Sequence, residues 1–296
     1  MPIVSIIIVT FNSEDEIIDC INSIIPQIEE ANGELIIVDN NSTDDTVSIL
    51  KNITNKYVTI YYNEENLGYT EGNNQGIEYS NGKYVLLLNP DTIVPESAIK
   101  QLVSIAKNNN LSVIAPQLLF PDGRIQKSCR RFPRRRDIIY TMFGLGQIFP
   151  NSKEFNHWKM TDFSHTEKQL VDQPASSAIL IRKNVLDVIN NFDEYFPYFF
   201  TDVDLCKRIW DSGNNILFDP SVQIIHIGGA SYKRIRTKMI IISHISFYKY
   251  FLKHKKGFIN WTLNLLIGGL LILMIPIRIL INLIIPYLKY RKKQSL

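Results

Sequence analysis

Val85-Leu86-Leu87-Leu88-Asn89-Pro90-Asp91-Thr92 is the stretch that decides the fold, because four apolar residues in a row end close to a single carboxylate. Such a run is typical of a strand that is buried on both faces of a parallel sheet. Open α/β sheets bind ligands just beyond the carboxyl ends of their strands, and Asp91 stands at such a point. The alternative for Asp91 is a cap of the next helix, since Pro95 suits a first helical turn.

Repeated strand–helix units surround this stretch. The predicted strands cover residues 4–10, 34–39, 57–62 and 83–88, and the predicted helices cover residues 14–25, 43–51, 70–79 and 95–107. This alternation predicts an α/β domain with a mostly parallel, Rossmann-like sheet and right-handed crossovers. No glycine-rich phosphate loop follows the first strand, where the chain reads Thr10-Phe11-Asn12-Ser13, so a NAD site and a Walker-type NTPase are disfavoured.

The second half has weaker signals. A strand is predicted at 178–182, with helices at 184–189 and 203–211, while residues 124–172 look irregular. The three cysteines are scattered, which suggests neither a disulfide framework nor a zinc cluster and favours a reducing, cytoplasmic setting. The first strand follows Met1 almost at once, so we expect no signal peptide.

The charge is divided sharply along the chain. Thirteen of the 32 basic residues and none of the 29 acidic residues follow Asp219, so residues 1–219 carry a formal charge of −10 and the rest +13. Two apolar runs, 261–275 and 277–288, lie between basic clusters in this tail. Anionic cytoplasmic lipid attracts such clusters, so a bilayer explains both features.

The tail offers two membrane arrangements. Pro276 and Arg278 interrupt the apolar sequence, and both of its flanks are basic. A re-entrant or interfacial helix pair hinged at Pro276 therefore fits better than one straight transmembrane span. The remaining alternative is a helical hairpin that packs on the soluble domain.

Polar side chains follow successive predicted strands. They are Thr10 and Asn12, then Asp39 and Asn41, then Asn66, Gly68 and Asn73, and finally Asn89 and Asp91. In a parallel sheet these positions share one edge, where carboxylates, amides and backbone groups can hold a base, a ribose and a diphosphate. Any one of them alone is more simply a turn or a cap.

Two further groups could carry chemistry. Asp202 and Asp204 follow an aromatic run, so they are candidates for a general base and its partner, with helix capping as the alternative. His226 precedes Gly228 and Gly229 in an apolar segment, where it is either a ligand-binding residue or an ordinary core histidine.

The order of these motifs resembles family 2 inverting glycosyltransferases of the GT-A fold, and most of all the rhamnosyltransferase-type enzymes of bacterial cell-surface polysaccharide assembly. The resemblance runs from residue 3 to about 235 and rests on the segments 5–12, 38–44, 66–69, 88–92 and 202–205, together with His226. It implies a glycosyltransferase with a GT-A domain at 1–240, divided into a nucleotide-sugar half at 1–110 and an acceptor and catalytic half at 111–240. The apolar runs and basic clusters of the tail, and not the resemblance, predict membrane-associating helices at 241–296 on the cytoplasmic face of the cell membrane.

The resemblance also implies roles for individual residues. Asp39 would accept a hydrogen bond from a pyrimidine base, with Thr10 and Asn12 beside the nucleotide. Asp91 would bind Mg²⁺ or Mn²⁺ on the donor diphosphate with help from His226, and Asp202 would be the catalytic base. The other nucleotide-sugar-binding candidates are Asn41, Asn66, Gly68, Asn73 and Asn89.

Two positions depart from the family pattern. Asn89 stands where a first Asp is common, and Thr201 stands where a Glu often precedes the base. The first departure weakens the expected metal site, and the second leaves the orientation of Asp202 open. Because Asp91 and Asp202 are both present, we expect activity.

The expected partners are a UDP- or dTDP-linked sugar donor and a polyprenyl-linked or oligosaccharide acceptor, with no nucleic acid. Arg130, Arg131 and Arg134 are candidates for holding the acceptor pyrophosphate, and a solvated or lipid-facing loop is the alternative. Two other functions remain open. A non-catalytic nucleotide-sugar-binding scaffold is supported only by Asn89, and a processive polysaccharide synthase is disfavoured because the chain has no Gln-x-x-Arg-Trp motif.

Overall fold

The computed structural model describes residues 1–228 and 236–294, which form two compact units. The first unit contains Met1–Phe132 and Asn156–Gly228, and the second contains Pro133–Phe155 and Gly229–Leu296.

The first unit is built from alternating strands and helices. Its strands are β1 (Val4–Thr10), β2 (Gly33–Asp39), β3 (Val58–Tyr62), β4 (Tyr84–Leu88), β5 (Thr92–Ile93), β6 (Val113–Leu119), β7 (Ile125–Gln126), β8 (Cys129–Arg130), β9 (Gln169–Leu170), β10 (Gln173–Pro174), β11 (Ala178–Arg182) and β12 (Ile216–His226). Its helices are α1 (Ile17–Ile28), α2 (Thr46–Lys51), α3 (Gly68–Tyr79), α4 (Ala98–Asn108), α7 (Lys183–Ile189) and α8 (Thr201–Asp211).

The main sheet has the strand order β3-β2-β1-β4-β11-β6-β12-β5. Strands β1 to β4 are parallel, and β11 is antiparallel to both β4 and β6. Strands β6 and β12 therefore run in the same direction as β1 to β4, since they are parallel to each other. The carboxyl ends of β1, β2, β4 and β12 consequently lie along one edge of the sheet, as the sequence predicts for the first three.

Both faces of the sheet are covered. Every residue of β1 and β4 is buried, and alternate side chains point to opposite faces. One face packs against α1 and α4, and the other packs against α7 and α8. Helix α3 approaches β1 so closely that a Cβ on Gly76 would lie 2.4 Å from Ile7 Cγ2, so this position requires glycine.

The predicted α/β class and mostly parallel sheet are confirmed, and the strands at 4–10 and 178–182 have the predicted bounds. Strands β6 and β12 have no predicted counterpart. They contain Pro116 and Pro220, and β12 is irregular in register between Asp219 and Gln223. Proline removes a ladder donor, so these strands carry a weak sequence signal. Helices α1, α2 and α4 begin three residues later than predicted because a turn precedes each of them.

The second unit is helical in its described part. It consists of α5 (Arg135–Met142), α6 (Leu145–Ile148), α9 (Arg236–His254) and α10 (Phe258–Gln294). The predicted boundary after residue 240 falls inside α9. Helices α5 and α6 lie in a segment that was predicted to be irregular, where their shortness leaves little periodicity to detect.

Helix α10 runs through Pro276 without a break, so the predicted hinge at Pro276 is wrong. Proline costs a helix one hydrogen bond, and α10 accommodates that loss within a long apolar helix. The stretch Phe258–Leu280 is long and apolar enough to cross a membrane, which by itself is weak evidence that it does so.

Candidate active site

The ends of β1 and β2 bring Thr10 and Asp39 side by side. The two residues are paired in register and each is only 1% exposed. Asp39 accepts hydrogen bonds from Ser42 N at 3.0 Å and from Ser42 Oγ at 2.5 Å, which fix the orientation of its carboxylate. Thr10 Oγ1 has no hydrogen-bond partner among the described residues. A buried, unpartnered hydroxyl beside an oriented carboxylate is suited to a polar ligand such as a base.

Two asparagines shape the loops beyond these strands. Asn12 and Asn41 both adopt left-handed backbone angles, with φ of 52° and 62°, which asparagine tolerates better than most residues. Asn12 Oδ1 accepts a hydrogen bond from Thr43 N at 2.8 Å, and Asn41 Nδ2 donates to Glu64 O at 2.8 Å. Both side chains hold one strand-end loop against another.

The start of α3 contains the next predicted residues. Asn66 Oδ1 accepts from Gly68 N at 2.9 Å, and Gly68 itself has a φ of 86°. Asn73 is buried, and its Nδ2 donates to Tyr69 O at 2.7 Å within the helix. Asn40, which follows Asp39, donates from its Nδ2 to Gly68 O at 2.9 Å and thereby links the end of β2 to α3.

Helix α3 also anchors the segment that leads into α8. Thr70 Oγ1 donates to Phe196 O at 2.6 Å. Asn74 exchanges two hydrogen bonds with the backbone of Phe192, at 3.0 Å and 2.9 Å. These contacts position the first turn of α8, which contains Asp202.

Asp91 lies just beyond β4 and pairs with the end of β12. Its Oδ1 is 3.3 Å from His226 Nε2, and its Oδ2 accepts from Gly228 N at 3.1 Å. Burial opposes ionisation of Asp91, but the hydrogen bond and charge of His226 and the Gly228 N–H outweigh it, so the pKa of Asp91 lies below its usual range. The carboxylate is therefore charged at neutral pH.

Gln126 orients His226 from the other side of the ring. Gln126 Oε1 is 2.7 Å from His226 Nδ1, and an amide oxygen can only accept. Nδ1 therefore carries a proton, and Nε2 is the ring nitrogen that faces Asp91 Oδ1, to which it donates when it is protonated. A metal-binding histidine is held in the same way, with one ring nitrogen bonded to a second residue and the other directed at the metal.

The donor set suits an ion that takes few ligands from the protein. Within residues 1–228 and 236–294 no group of three or more His, Cys, Asp or Glu side chains is arranged to hold a metal. Asp91 and His226 can thus supply two ligands. The backbone of Asn89 closes the adjoining turn, since its N donates to Ser177 O and its O accepts from Thr92 Oγ1.

Asp202 occupies the first turn of α8, after Phe200 with its φ of 67°. Its Oδ2 accepts from Gln173 Nε2 at 3.0 Å, and its Oδ1 accepts from Val203 N at 2.9 Å. Burial raises the pKa of Asp202 above its usual range, against the opposing effects of the Val203 N–H and of the positive charge of Arg130. A raised carboxyl pKa suits a proton acceptor.

No sequence pattern singles out Gln173. It is buried in the two-stranded ladder of β8 and β10, directly opposite Arg130. The guanidinium of Arg130 lies 5.2 Å from the ring centroid of Trp158, which in turn stacks on Phe200. The ladder therefore brings an amide and a cation to the carboxylate of Asp202, and only the pairing of β8 with β10 could have revealed this.

Asp204 faces a different environment. Its side chain is 1% exposed, and its Oδ2 accepts from Arg208 Nε at 2.7 Å. Arg208 also donates to the carbonyl oxygens of Ile189 and Asn191. Asp204 thus belongs to an internal ion pair that ties α8 to the end of α7, and its role as partner of the base stays a prediction.

The candidate acceptor arginines are divided between the two units. In the first unit, Arg131 makes a bidentate pair with Asp162 at 2.7 Å and 2.9 Å. In the second unit, Arg134 pairs with Asp137 at 2.8 Å and with Glu154 at 3.2 Å. Carboxylates therefore already engage two of the three predicted arginines.

Tyr69 of α3 contacts the segment before β11. Its hydroxyl donates to Ser176 Oγ at 3.1 Å. Burial, together with the negative charges of Asp202 and Asp91, raises the pKa of Tyr69 to about 12. The hydroxyl is therefore protonated at neutral pH and can act as a hydrogen-bond donor.

The chain is similar to a family of glycosyl transferases and to individual proteins that are named as hexosyl or rhamnosyl transferases. A family described as "Glycosyl transferase family 2" matches residues 5–184. The Haloferax volcanii low-salt glycan biosynthesis hexosyltransferase Agl10 is 29% identical over 227 residues, which cover 75% of this chain and 66% of the relative. The Mycobacterium tuberculosis N-acetylglucosaminyl-diphospho-decaprenol L-rhamnosyltransferase is 24% identical over 187 residues, which cover 61% of this chain and 60% of the relative. The chain thus spans just under two thirds of these two relatives.

A solved structure supports the fold. GalNAc-T7 with UDP, GalNAc and Mn²⁺ superposes with a TM-score of 0.56 at 14% identity, covering 76% of this chain and 44% of that chain.

Proposed function

We propose that this chain, which belongs to glycosyl transferase family 2, moves a hexose from a nucleotide-diphosphate sugar to a hydroxyl of a glycan or lipid-linked acceptor. The configuration at the anomeric carbon inverts in this reaction. The chain is a glycosyltransferase with a GT-A-like fold. One observation carries the mechanism: Asp91 is bonded to His226 and Gly228 and its pKa is lowered, whereas Asp202 is buried against Gln173 and its pKa is raised. Carboxylates with diverging pKa values typically have different chemical roles.

The donor nucleotide is assigned to the ends of β1 and β2. Asp39 presents an oriented acceptor for a base N–H, and Thr10 Oγ1 supplies a hydroxyl that lacks a partner in the described part of the chain. Uracil and thymine offer the same N–H, so both UDP- and dTDP-linked sugars fit. The solved GalNAc-T7 structure, which contains UDP, supports a uridine nucleotide in this fold.

Asp91 and His226 are assigned to a divalent ion, Mg²⁺ or Mn²⁺. The ionised carboxylate of Asp91 and the imidazole that Gln126 orients would hold such an ion. When bound, the ion neutralises charge on the departing diphosphate. Asp91 and His226 would hold the ion at the sheet edge.

Asp202 is assigned as the general base. The acceptor hydroxyl gives its proton to the Asp202 carboxylate while its oxygen attacks the anomeric carbon, and the bond to the diphosphate breaks on the opposite face. The nucleoside diphosphate leaves with the bonding electron pair, so the configuration inverts. Gln173 holds the Asp202 carboxylate in place through its hydrogen bond at 3.0 Å.

The acceptor is assigned to the polyprenyl-linked or glycan class, on the cytoplasmic face of the membrane. The Mycobacterium relative is named for L-rhamnosyl transfer to a diphospho-decaprenol glycolipid, which supports a rhamnosyl donor and a lipid-linked acceptor here. Because carboxylates engage Arg131 and Arg134, Arg130 is the best placed of the three arginines to contact the acceptor.

Calorimetric titration of the purified chain with UDP and dTDP, each with and without Mn²⁺, tests the donor site. We expect Mn²⁺ to strengthen binding of one nucleotide in the wild type and to have no effect in Asp91→Asn. Asp187→Asn, which changes an exposed carboxylate on α7, is the matched control and should behave as the wild type does. Absence of nucleotide binding in the wild type would contradict the proposal.

A further inference from the structure

The second unit is strongly cationic. Residues 133–155 and 229–296 contain 17 basic and two acidic residues, a formal charge of +15. The two acids, Asp137 and Glu154, are both bound by arginines: Arg134 contacts each of them and Arg136 contacts Glu154. Because basic residues outnumber acidic residues so strongly in this unit, the unit suits an anionic surface.

Arg135 ties α5 to the first half of α10. Its Nη2 donates to Asn260 Oδ1 at 2.9 Å and to Asn264 Oδ1 at 2.8 Å. The guanidinium also lies 5.6 Å from the ring centroid of Phe251 on α9. Through these contacts with two asparagine amides and one aromatic ring, Arg135 fixes the beginning of α5 beside the turn between α9 and α10.

Arg278 ties the other end of α5 further along the same helix. Its Nη2 donates to Thr141 O at 2.7 Å. Asn264 and Arg278 are separated by about 21 Å of helix at 1.5 Å per residue. Both contacts fall inside Phe258–Leu280, the apolar stretch of α10. If this stretch of α10 inserts into lipid, the segment 133–155, which contains α5 and α6, must therefore enter the lipid with it.

This segment presents its own apolar side chains. Phe143, Ile148 and Phe149 are 55%, 63% and 50% exposed, and they accompany exposed leucines and isoleucines of α10. The segment is nonetheless unfit for the hydrocarbon core, because it contains Arg136 and Glu154 and its two short helices leave much of their backbone without intrahelical partners.

We propose that the second unit is monotopic: α10 lies along the interface of an anionic membrane leaflet, and Phe143, Ile148 and Phe149 insert beside it. The inference rests on the proposed membrane location and deepens it. In an interfacial position the exposed apolar side chains of α10, such as Phe258, Leu266 and Ile272, enter lipid while its buried side chains pack within the protein. The basic residues of the unit then attract anionic lipid. A crossing helix would carry α5 and α6 into hydrocarbon.

Fluorescent labelling at engineered cysteines tests the depth of each segment. Cys20, Cys129 and Cys206 are all buried, so a maleimide-linked NBD label will report on the new site. Four variants place the label at exposed side chains: Phe149→Cys, Phe258→Cys, Ile272→Cys and, as a control on α7, Val188→Cys. The full chain is mixed with vesicles of phosphatidylcholine alone or with one quarter phosphatidylglycerol.

With anionic vesicles we expect the emission of the label to rise about twofold at positions 149, 258 and 272 and to stay unchanged at 188. At the first three positions, lipid that carries a quencher near the headgroup should quench the label more strongly than lipid that carries it deep in the acyl chain. Neutral vesicles should produce a much smaller response. Deep quenching at 272 with shallow quenching at 258 would show a span and overturn the proposal. A label at 149 that stays in water while 272 inserts would overturn the role of α5 and α6.

The failure of this inference is distinguishable from the failure of the proposed function. Glycosyl transfer by detergent-solubilised wild type to a water-soluble acceptor does not depend on lipid depth. Transfer without any vesicle insertion would overturn the membrane inference alone, and insertion at all three sites without donor binding would contradict the proposed function alone. Circular dichroism and melting temperature equal to the wild type establish that each labelled variant is folded.

Discussion

Gln173 Nε2 donates a hydrogen bond to Asp202 Oδ2 at 3.0 Å, although the two residues lie on separate elements, β10 and α8. Burial raises the pKa of Asp202, and the bond from Gln173 works in the opposite direction by favouring the charged form. The amide thus keeps a buried carboxylate in one orientation and available to accept a proton.

Gln173→Leu should therefore impair the enzyme mainly at low pH. Loss of the donor raises the pKa of Asp202 further, so a larger fraction of the base is protonated as the pH falls. A hydrogen bond to a charged group is worth about 1.5–3 kcal/mol, which corresponds to a loss of about tenfold or more in kcat/KM on the acid side. The pH profile of kcat/KM measures this effect.

Gln223→Leu, which changes a glutamine on β12, is the control for that profile. An acid limb that is identical in Gln173→Leu and the wild type would remove Gln173 from the positioning of Asp202.

Gln126→Leu should weaken the dependence on divalent metal without removing a ligand. The Gln126 Oε1 contact at 2.7 Å orients the ring of His226, and loss of such a supporting group typically costs about 10–100-fold in metal affinity or activity. Activity measured against Mn²⁺ concentration should show a higher half-saturating concentration. Equal Mn²⁺ curves for the variant and the wild type would argue against a metal at His226.

The two ion pairs of α8 should contribute very different amounts to the free energy of unfolding. Asp204 is 1% exposed, so Asp204→Ala should lower the free energy of unfolding by about 3–5 kcal/mol, because Arg208 loses its buried partner. Asp211 is 53% exposed and pairs with Lys207, so Asp211→Ala should change it by about 1 kcal/mol or less. Urea denaturation measures both, and similar values for the two variants would contradict a structural role for Asp204.

Gly76→Ala tests the close approach of α3 to β1. The added Cβ would lie 2.4 Å from Ile7 Cγ2, and overpacking of this kind costs about 1–3 kcal/mol. Gly269→Ala is the matched control, since no atom lies within 4 Å of its added Cβ and alanine favours a helix by about 0.5–1 kcal/mol. Thermal unfolding should move in opposite directions, and a melting temperature unchanged in Gly76→Ala would refute the close approach.

The sequence predicted the parts of the fold that depend on local pattern. The apolar runs that became β1 and β4 specify a sheet buried on both faces, and that sheet places Thr10, Asp39 and Asp91 along one edge. To predict that these residues share an edge, it is enough to know that the strands run in the same direction, and the alternation of strands and helices indicates that they do.

The supporting contacts of the site could not be predicted in this way. Gln126 meets His226 across 100 residues of sequence, and Gln173 meets Asp202 through the pairing of β8 with β10. Two-residue strands have no detectable period, so neither contact leaves a local signal. Helix α10 shows the reverse case, since Pro276 predicts an interruption that the long helix does not contain.

The most direct test of the central claim is the rate of sugar transfer by Asp202→Asn, measured beside its affinity for the donor nucleotide. General-base catalysis typically contributes about 10²–10⁴-fold, so we expect transfer to fall by that factor while Mn²⁺-dependent nucleotide binding stays at the wild-type level. The product of the wild-type enzyme should have inverted anomeric configuration by NMR. Wild-type turnover in Asp202→Asn, or a product with retained configuration, would contradict the account.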